Sequence, residues 1–426
     1  MTPTAPPPQR VDVLLAGGGG AARTVLLALA GAAHAGRLPG PLRVLVVDPV
    51  DPHDTEAAHR TWCSWGEPDT LLEPVVAAAW RHVRVRDARH DLVLDLDPLR
   101  YRLVRSADLA EHVEQRLTTA PGLAVEHVTA AVTALDERPD GTVDVSWPGG
   151  SARARLVLDS RPVRPARPGS VFWWQHFRGW TLPAGAVPGL DPAVAELMDF
   201  RTPQPERGLS FGYVLPLPDG RALAEYTEFS PARLDDAGYD RALRAYLDRL
   251  GVAAGVQPEH VETGAIPMTD ARFARSAGPR VLRLGTAGGA TRGSTGYTFS
   301  AMLRDARAVT DLLERGALAG TAPLHLPAPY PRRHRWFDAV QLRALEDGLV
   351  DGPAFFVRLF RRQPATRVLR FLDGATHVAE DVAVMSGAPA VAMTRAAAAD
   401  GLARVRGRSR AGQAPAVPVP TARTRA

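Results

Sequence analysis

Three short apolar runs set the plan of this chain. Val11–Ala16 reads VDVLLA, Arg43–Val47 reads RVLVV and Arg155–Asp159 reads RLVLD. Near-continuous runs of this length, bounded by turn residues, mark strands buried on both faces, as in a parallel sheet. Between the first two, Arg23–His34 reads as an alanine- and leucine-rich helix, which makes a strand–turn–helix–strand unit. Tyr101–Gln115 begins a helix with Ser106 as its N-cap. Leu123–Val132 and Val143–Trp147 read as strands around a turn at Asp140-Gly141. From Ser170 the pattern changes. An aromatic-dense stretch, Phe172–Trp180, is followed by alternation through Leu209–Leu217 and Ala222–Thr227, the period of an antiparallel sheet. Asp235–Leu250 is an amphipathic helix. Leu282–Ser300 is a short strand, a loop of small residues and a helix start near Phe299. Tyr330–Asp381 is mostly helical, and beyond Ala396 an Ala/Arg/Pro-rich tail is expected to be disordered.

The expected architecture is α/β. Residues 10–165 and 262–320 form a Rossmann-type domain, 166–261 an antiparallel β layer for substrate, and 321–395 a helical C-terminal region. A leader (1–9) and a tail (396–426) lie outside the fold.

Two loops carry phosphate-binding chemistry. Gly17-Gly18-Gly19-Gly20-Ala21-Ala22 follows the first strand, and Gly17, Gly19 and Ala22 fit G-x-G-x-x-G/A. In that pattern the first glycine permits the tight turn, the second lets a pyrophosphate approach, and the third small residue allows close helix–strand packing. Asp48 ends the next strand, where a carboxylate can hold a ribose hydroxyl. In the second loop, Gly285, Gly288, Gly289, Gly293 and Gly296 lead into a helix N-terminus, which favours an anion.

Composition narrows the class. The chain has 426 residues, 45% hydrophobic and 23% charged, as expected of a globular protein with a sizeable core. No apolar run approaches the roughly 18 residues of a membrane span. One cysteine, Cys63, leaves no internal disulfide and fits a reducing compartment. Every one of the 51 Lys+Arg residues is arginine, and the net charge is +5; abundant Ala, Gly, Pro and Arg point to a GC-rich bacterial source. No basic block or zinc spacing marks a nucleic-acid protein. Residues 331–370 carry nine arginines against four acids, interleaved with Leu359 and Phe360 and followed by Phe371. That segment reads either as a solvated amphipathic layer or as a membrane-surface face.

The chemical candidate is Glu225, in the strand-like run RALAEYT (221–227). A carboxyl group against apolar walls stays protonated at neutral pH and can serve as an acid. Spacing alone leaves open an ordinary strand-edge glutamate paired with an arginine. Likewise the tryptophans of HRTWCSW (59–65) read, by themselves, as core anchors.

Taken in order, the motifs resemble those of the flavin-dependent lycopene cyclases of bacteria and plants, over about residues 10–385. They are HRTWCSW (59–65), VLDSRP (157–162), WQHFRGW (174–180), LMDFR (197–201), Glu225-Tyr226-Thr227 on the family's E-E/D-T motif, Ile266-Pro267-Met268, GTAGGATRGSTGYTF (285–299) and FLDGATHVAED (371–381). The resemblance implies an FAD-binding Rossmann-type domain and a lycopene β-cyclase. An acid at Glu225 would protonate the terminal C1=C2 bond of lycopene or a related acyclic carotenoid, C5=C6 would close the ring, and loss of the C6 proton would complete it. Reduced FAD would stabilise the cation, with NAD(P)H as its reductant. Together these readings put the cofactor at Gly17, Gly19, Ala22, Asp48, Arg60, Gly285, Thr286, Ala287, Gly288 and Gly296. They put substrate at Trp173, Trp174, Tyr226 and Thr227, and assign no metal. They imply a cytoplasmic enzyme docked on the inner face of the membrane. Two positions depart from the family: Tyr226 stands where a second acid usually follows Glu225, and Gly374-Ala375 stand where the last motif expects an acid. The alternative is an FAD-dependent hydroxylase or reductase acting on a polyene. Thr286 leans against it, because flavin hydroxylases usually carry Gly-Asp at that loop.

Overall fold

The structure, a computed structural model, describes residues 8–51 and 60–407. The leader to Pro7, His59 of the first motif and the tail beyond 407 lie outside the described residues.

The chain opens with β1 (Gln9–Ala16), α1 (Gly20–His34) and β2 (Leu42–Asp48). Five short strands follow: β3 (Thr61–Gly66), β4 (Val76–Trp80), β5 (His82–Arg86), β6 (Asp91–Asp95) and β7 (Arg100–Arg105). Then come α2 (Ser106–Thr118), β8 (Leu123–Thr129), β9 (Ala134–Glu137), β10 (Val143–Trp147) and β11 (Gly150–Asp159). The first sheet has the order β18-β11-β1-β2-β8 at its heart, where β18 is Val281–Arg283 after β17 (Ser276–Gly278). These five strands are parallel, and β9–β10 and β17 join antiparallel. Strand order reverses between β1 and β11, the switch point at which such sheets bind ligands. The helix expected from Tyr101 begins only at Ser106, and Arg105 is its N-cap. Tyr101–Arg105 is taken into strand β7, because β3 and β4 pair with its two edges and Tyr101–Val104 are buried in succession.

The second sheet has the order β16-β12-β15-β14-β13-β5-β6, with β12 (Phe172–Leu182), β13 (Val194–Asp199), β14 (Leu209–Pro216), β15 (Ala222–Ser230) and β16 (His260–Thr269). It therefore extends beyond 166–261 on both sides, taking β5 and β6 from residues 82–95. Short alternating strands do not disclose which sheet they join, so the sequence placed these in the wrong unit. One face packs on α3 (Asp236–Arg249), with Ala224, Tyr226, Tyr239 and Tyr246 in the shared core. The other face, with Leu223, Phe211 and Phe229, packs against the β3–β7–β4 sheet and the C-terminal helices.

After the glycine loop run α4 (Phe299–Glu314), α5 (Arg332–Glu346), α6 (Gly352–Arg362), α7 (Ala365–Leu372), α8 (Val378–Gly387) and α9 (Ala390–Gly407). The boundary at 396 does not hold: α9 continues to Gly407, and Ala396 is buried against Val340 and Ala344 of α5. Leu359, Phe360 and Phe371, interleaved among the arginines, are core residues rather than a surface face.

Candidate active site

A cavity of about 530 Å³ lies between the two large sheets. The first sheet supplies its polar end. The loop after β1 turns at Gly17, whose φ of +106° suits glycine. A Cβ there would stand 2.3 Å from Ser160 Oγ, so the DSR segment fits against the loop only because position 17 has no side chain. Gly19, Gly20 and Ala21 line the cavity. Helix α1 starts without a side-chain cap or an acidic residue in its first turn, which leaves N–H groups for an anion. The second loop comes alongside: an ideal Cβ on Gly285 is 3.4 Å from Ala21 Cβ, and Gly285, Thr286, Ala287 and Gly296 line the cavity. Arg60 adds positive charge at this end, and Gln175 Oε1, buried at the wall, has no hydrogen-bond partner among the described residues. Two open backbone loops, a cation and a free acceptor suit a phosphate-bearing planar cofactor.

Gly17, Ala22, Asp48 and Gly288 are not among the residues that line this cavity. The Asp48 carboxylate accepts from Gly18 N (2.5 Å) and Val50 N (2.7 Å), so it braces the loop from behind.

The second sheet forms the floor, and strand register decides which side chains meet. Tyr213 of β14, Glu225 of β15, Gly179 of β12 and Glu262 of β16 are consecutive partners across four strands. Phe211, Thr227, Phe177 and Gly264 form the next row. Side chains alternate along a strand, so Glu225 and Thr227 face the cavity, whereas Tyr226 points to α3 and bonds Glu228 Oε2 at 2.9 Å. Tyr226 is therefore not a substrate residue. Any side chain at 226 would face away from Glu225. Trp174 is on the same far side, under Arg233 and edge-on to Phe172. Trp173 is on the cavity face but sealed behind α5, donating Nε1–H to Glu346 at 2.5 Å. Neither tryptophan lines the cavity. Aromatic walls come instead from Tyr101, Phe177, Phe211, Tyr213 and Tyr297. The Tyr101 and Tyr213 hydroxyls are hydrogen-bonded, and Trp65, a core anchor, meets Tyr297 edge-on. Trp62 lines the cavity and stacks on Phe299 at 5.5 Å.

The electrostatics of the floor are set by two carboxyls. Burial, reinforced by Glu262, pushes Glu225 up to about 8 against the opposing hydrogen bond from Thr227 Oγ1 (2.5 Å). Burial raises Glu262 only to about 6, because Thr61 donates from Oγ1 (2.8 Å) and N (3.2 Å) and Arg60 lies nearby. Around them Cys63, Tyr101 and Tyr297 are held neutral by burial. Glu262 and the aromatic wall were not singled out from sequence. The only signal was that Glu262 stands two residues before the Gly264–Met268 stretch, in a strand of unknown register.

A family model described as "Lycopene cyclase protein" matches residues 12–398. The chain belongs to the lycopene cyclase family. Membership makes it an enzyme of carotenoid chemistry. No curated protein matches this family member. Among solved structures it is similar to a geranylgeranyl bacteriochlorophyll reductase-like protein from Thermoplasma acidophilum (12% identity, TM-score 0.59, covering 91% of this chain and 99% of that one). It is also similar to p-nitrophenol 4-monooxygenase PnpA from Pseudomonas putida DLL-E4 (16%, 0.57, 91% and 97%) and the flavin-dependent brominase Bmp2 (14%, 0.53, 94% and 100%). At these identities the likeness is one of fold. It places this lycopene cyclase family member on the same two-layer α/β scaffold and leaves the chemistry to the residues of its cavity.

Proposed function

We propose that this chain is a flavin-dependent lycopene β-cyclase, closing one or both ψ-ends of lycopene, or of a related acyclic carotenoid, without net redox change. The observation that carries the reading is Glu225: a carboxylic acid held neutral near pH 7, on an aromatic floor, facing the loops that suit a cofactor. An alkene is a weak base, so its proton donor has to reach it uncharged and shielded from water. Glu225 delivers the proton to C2 of the terminal C1=C2 bond, leaving a tertiary cation at C1. The π faces of Tyr213, Phe211 and Phe177 stabilise positive charge beside it. The tight walls hold the chain end folded so that C6 meets C1.

FAD would be held by the Gly19–Ala21 turn, Arg60 and the Gly285–Ala287 turn; reduced with NAD(P)H as the electron source, it would supply negative charge that favours a cation. Replacing Glu225 with Gln is expected to lower ring formation by about 10²–10⁴-fold in a lycopene-producing host while flavin is retained. Normal β-ring output from that variant would refute the assignment. The reductase and monooxygenase folds alongside keep a redox reading in view: NAD(P)H consumption equal to product, with a changed product mass, would favour it.

The substrate resides in lipid, and we place the docking face on α8. Val378, Val382 and Met385 recur at helical spacing and are 62%, 56% and 38% exposed. Arg333 of α5 pairs with Asp381 of α8, and Arg332, Arg335 and Trp336 of α5 are exposed. Among the described residues no single helix is long and apolar enough to cross a membrane. The enzyme would act on the inner face of the membrane from the cytoplasm.

A further inference from the structure

Ring closure leaves a second proton to be removed, and the floor of the cavity offers one group for it. We propose that Glu262 is the base that takes the C6 proton and returns it to Glu225. The proposal rests on the cyclase reading above.

Among the described lining residues the carboxyls are Glu225 and Glu262. Strand alternation puts residue 226 on the opposite face, so a partner for Glu225 has to come from another strand. Glu262 comes from two strands away and leans toward it. Both glutamates are register partners of the same residue, Gly179. An ideal Cβ on Gly179 would lie 3.1 Å from Glu262 Cγ and 3.3 Å from its Oε1, so the Glu262 side chain lies over the intervening strand. Glycine at 179 leaves room for the Glu262 side chain to lie over β12, next to Leu223 Cδ1, which the same Cβ would meet at 3.2 Å. Of the other titratable groups at the floor, Arg60 beside Glu262 is a cation, and Cys63 beside Glu262 and Tyr101 and Tyr297 beside Glu225 stay neutral through burial. None of them is a competent base near pH 7. Two donors from Thr61 favour the ionised form of Glu262, whereas Glu225 has one donor. Environments that push two neighbouring carboxyls apart in this sense assign one as acid and the other as base.

The balance closes. The Glu225 O–H bond breaks as a C–H bond forms at C2. The C5=C6 pair forms the C1–C6 bond and leaves the cation at C5. Glu262 takes hydrogen from C6 as a proton, and that C–H pair becomes the new C5=C6 bond. Glu225 is then the carboxylate and Glu262 the acid, and passage of one proton between them restores the start. No electron is gained or lost.

The test uses the full-length holoprotein with lycopene in anionic vesicles. The wild type should show a bell-shaped rate with limbs near 6 and 8, macroscopic values that belong to the pair. Glu262→Gln should keep its flavin, lose about 10²-fold or more in β-ring formation and lose the acid limb. Its alkaline limb should move to lower pH, because the negative neighbour that raises Glu225 is gone. Residual product should contain rings whose double bond lies at C4=C5 or outside the ring, since the C5 cation then loses a different proton. Glu262→Asp should restore the acid limb and β-rings in part. At pH 7 the difference spectrum against wild type should show loss of one protonated-carboxyl infrared band in Glu225→Gln and no such loss in Glu262→Gln, with the band of buried Glu196, also pushed up to about 8, common to all three proteins. If Glu262→Gln sheds flavin, Glu262→Asp decides: its acid limb must shift. An active Glu262→Gln with unchanged rate, products and limbs, or an unshifted Glu262→Asp, overturns the role of Glu262. A wild type that forms no ring overturns the cyclase reading itself.

Discussion

At the scale of single residues, the proposed chemistry turns on how far water and charge are kept from one carboxyl. Glu225 is pushed up to about 8 by burial first and by Glu262 second, and Thr227 pulls the other way. Thr227→Val keeps the shape of the side chain but removes the hydroxyl that favours the ionised form. The acid should then hold its proton to higher pH. The expected result is an alkaline limb of the pH–rate profile displaced upward, with the acid limb unmoved; a downward shift would contradict the hydrogen bond's role. Its apolar strand by itself left an ordinary strand-edge glutamate open, but Glu225 was legible as a candidate because it falls on the family's E-E/D-T motif. The partner was not. Glu262 sits in HVETGAIPMT, where its neighbours give no sign that it faces Glu225.

At the scale of elements, the glycine loop at 285–299 is held in place by a buried ion pair as well as by backbone geometry. Arg292, 1% exposed, donates to Asp338 of α5 (2.6 Å at its shortest) and to the Phe371 carbonyl of α7 (3.0 Å). Its guanidinium also lies 5.2 Å over the Tyr330 ring. Removing one partner of a buried pair strands the other charge, which costs about 3–5 kcal/mol. Arg292→Ala should therefore lower stability by that order in denaturant unfolding. Substituting both partners, Arg292→Met with Asp338→Leu, should recover much of the loss; if the double variant is no better than the single, the pair is not what anchors the loop. The strands and helices themselves were readable from periodicity. Their ends were less so: Tyr101–Arg105 became strand because β3 and β4 pair with both of its edges, a condition local sequence does not state.

At the scale of the whole molecule, the two sheets enclose a cavity that is polar at the first sheet's loops and aromatic at the second sheet's floor, and the helical region covers one side. If α8 is the face that meets lipid, Val382→Asp should weaken co-sedimentation with anionic liposomes several-fold while leaving the unfolding midpoint and flavin content unchanged; undiminished binding would move the docking face elsewhere. By itself the sequence determined the α/β class, the two glycine loops and the family, and it singled out Glu225 as the candidate acid, because each rests on residues close together in the chain: a run of apolar positions, a turn, a motif. Only the tertiary structure decided what stands beside that acid. Strand alternation turned Tyr226 and Trp174 away, packing sealed Trp173 behind α5, and register across β15, β12 and β16 brought Glu262 over Gly179. Those outcomes depend on which strands pair and in what register, and that is fixed by the burial of whole faces rather than by any segment's own pattern.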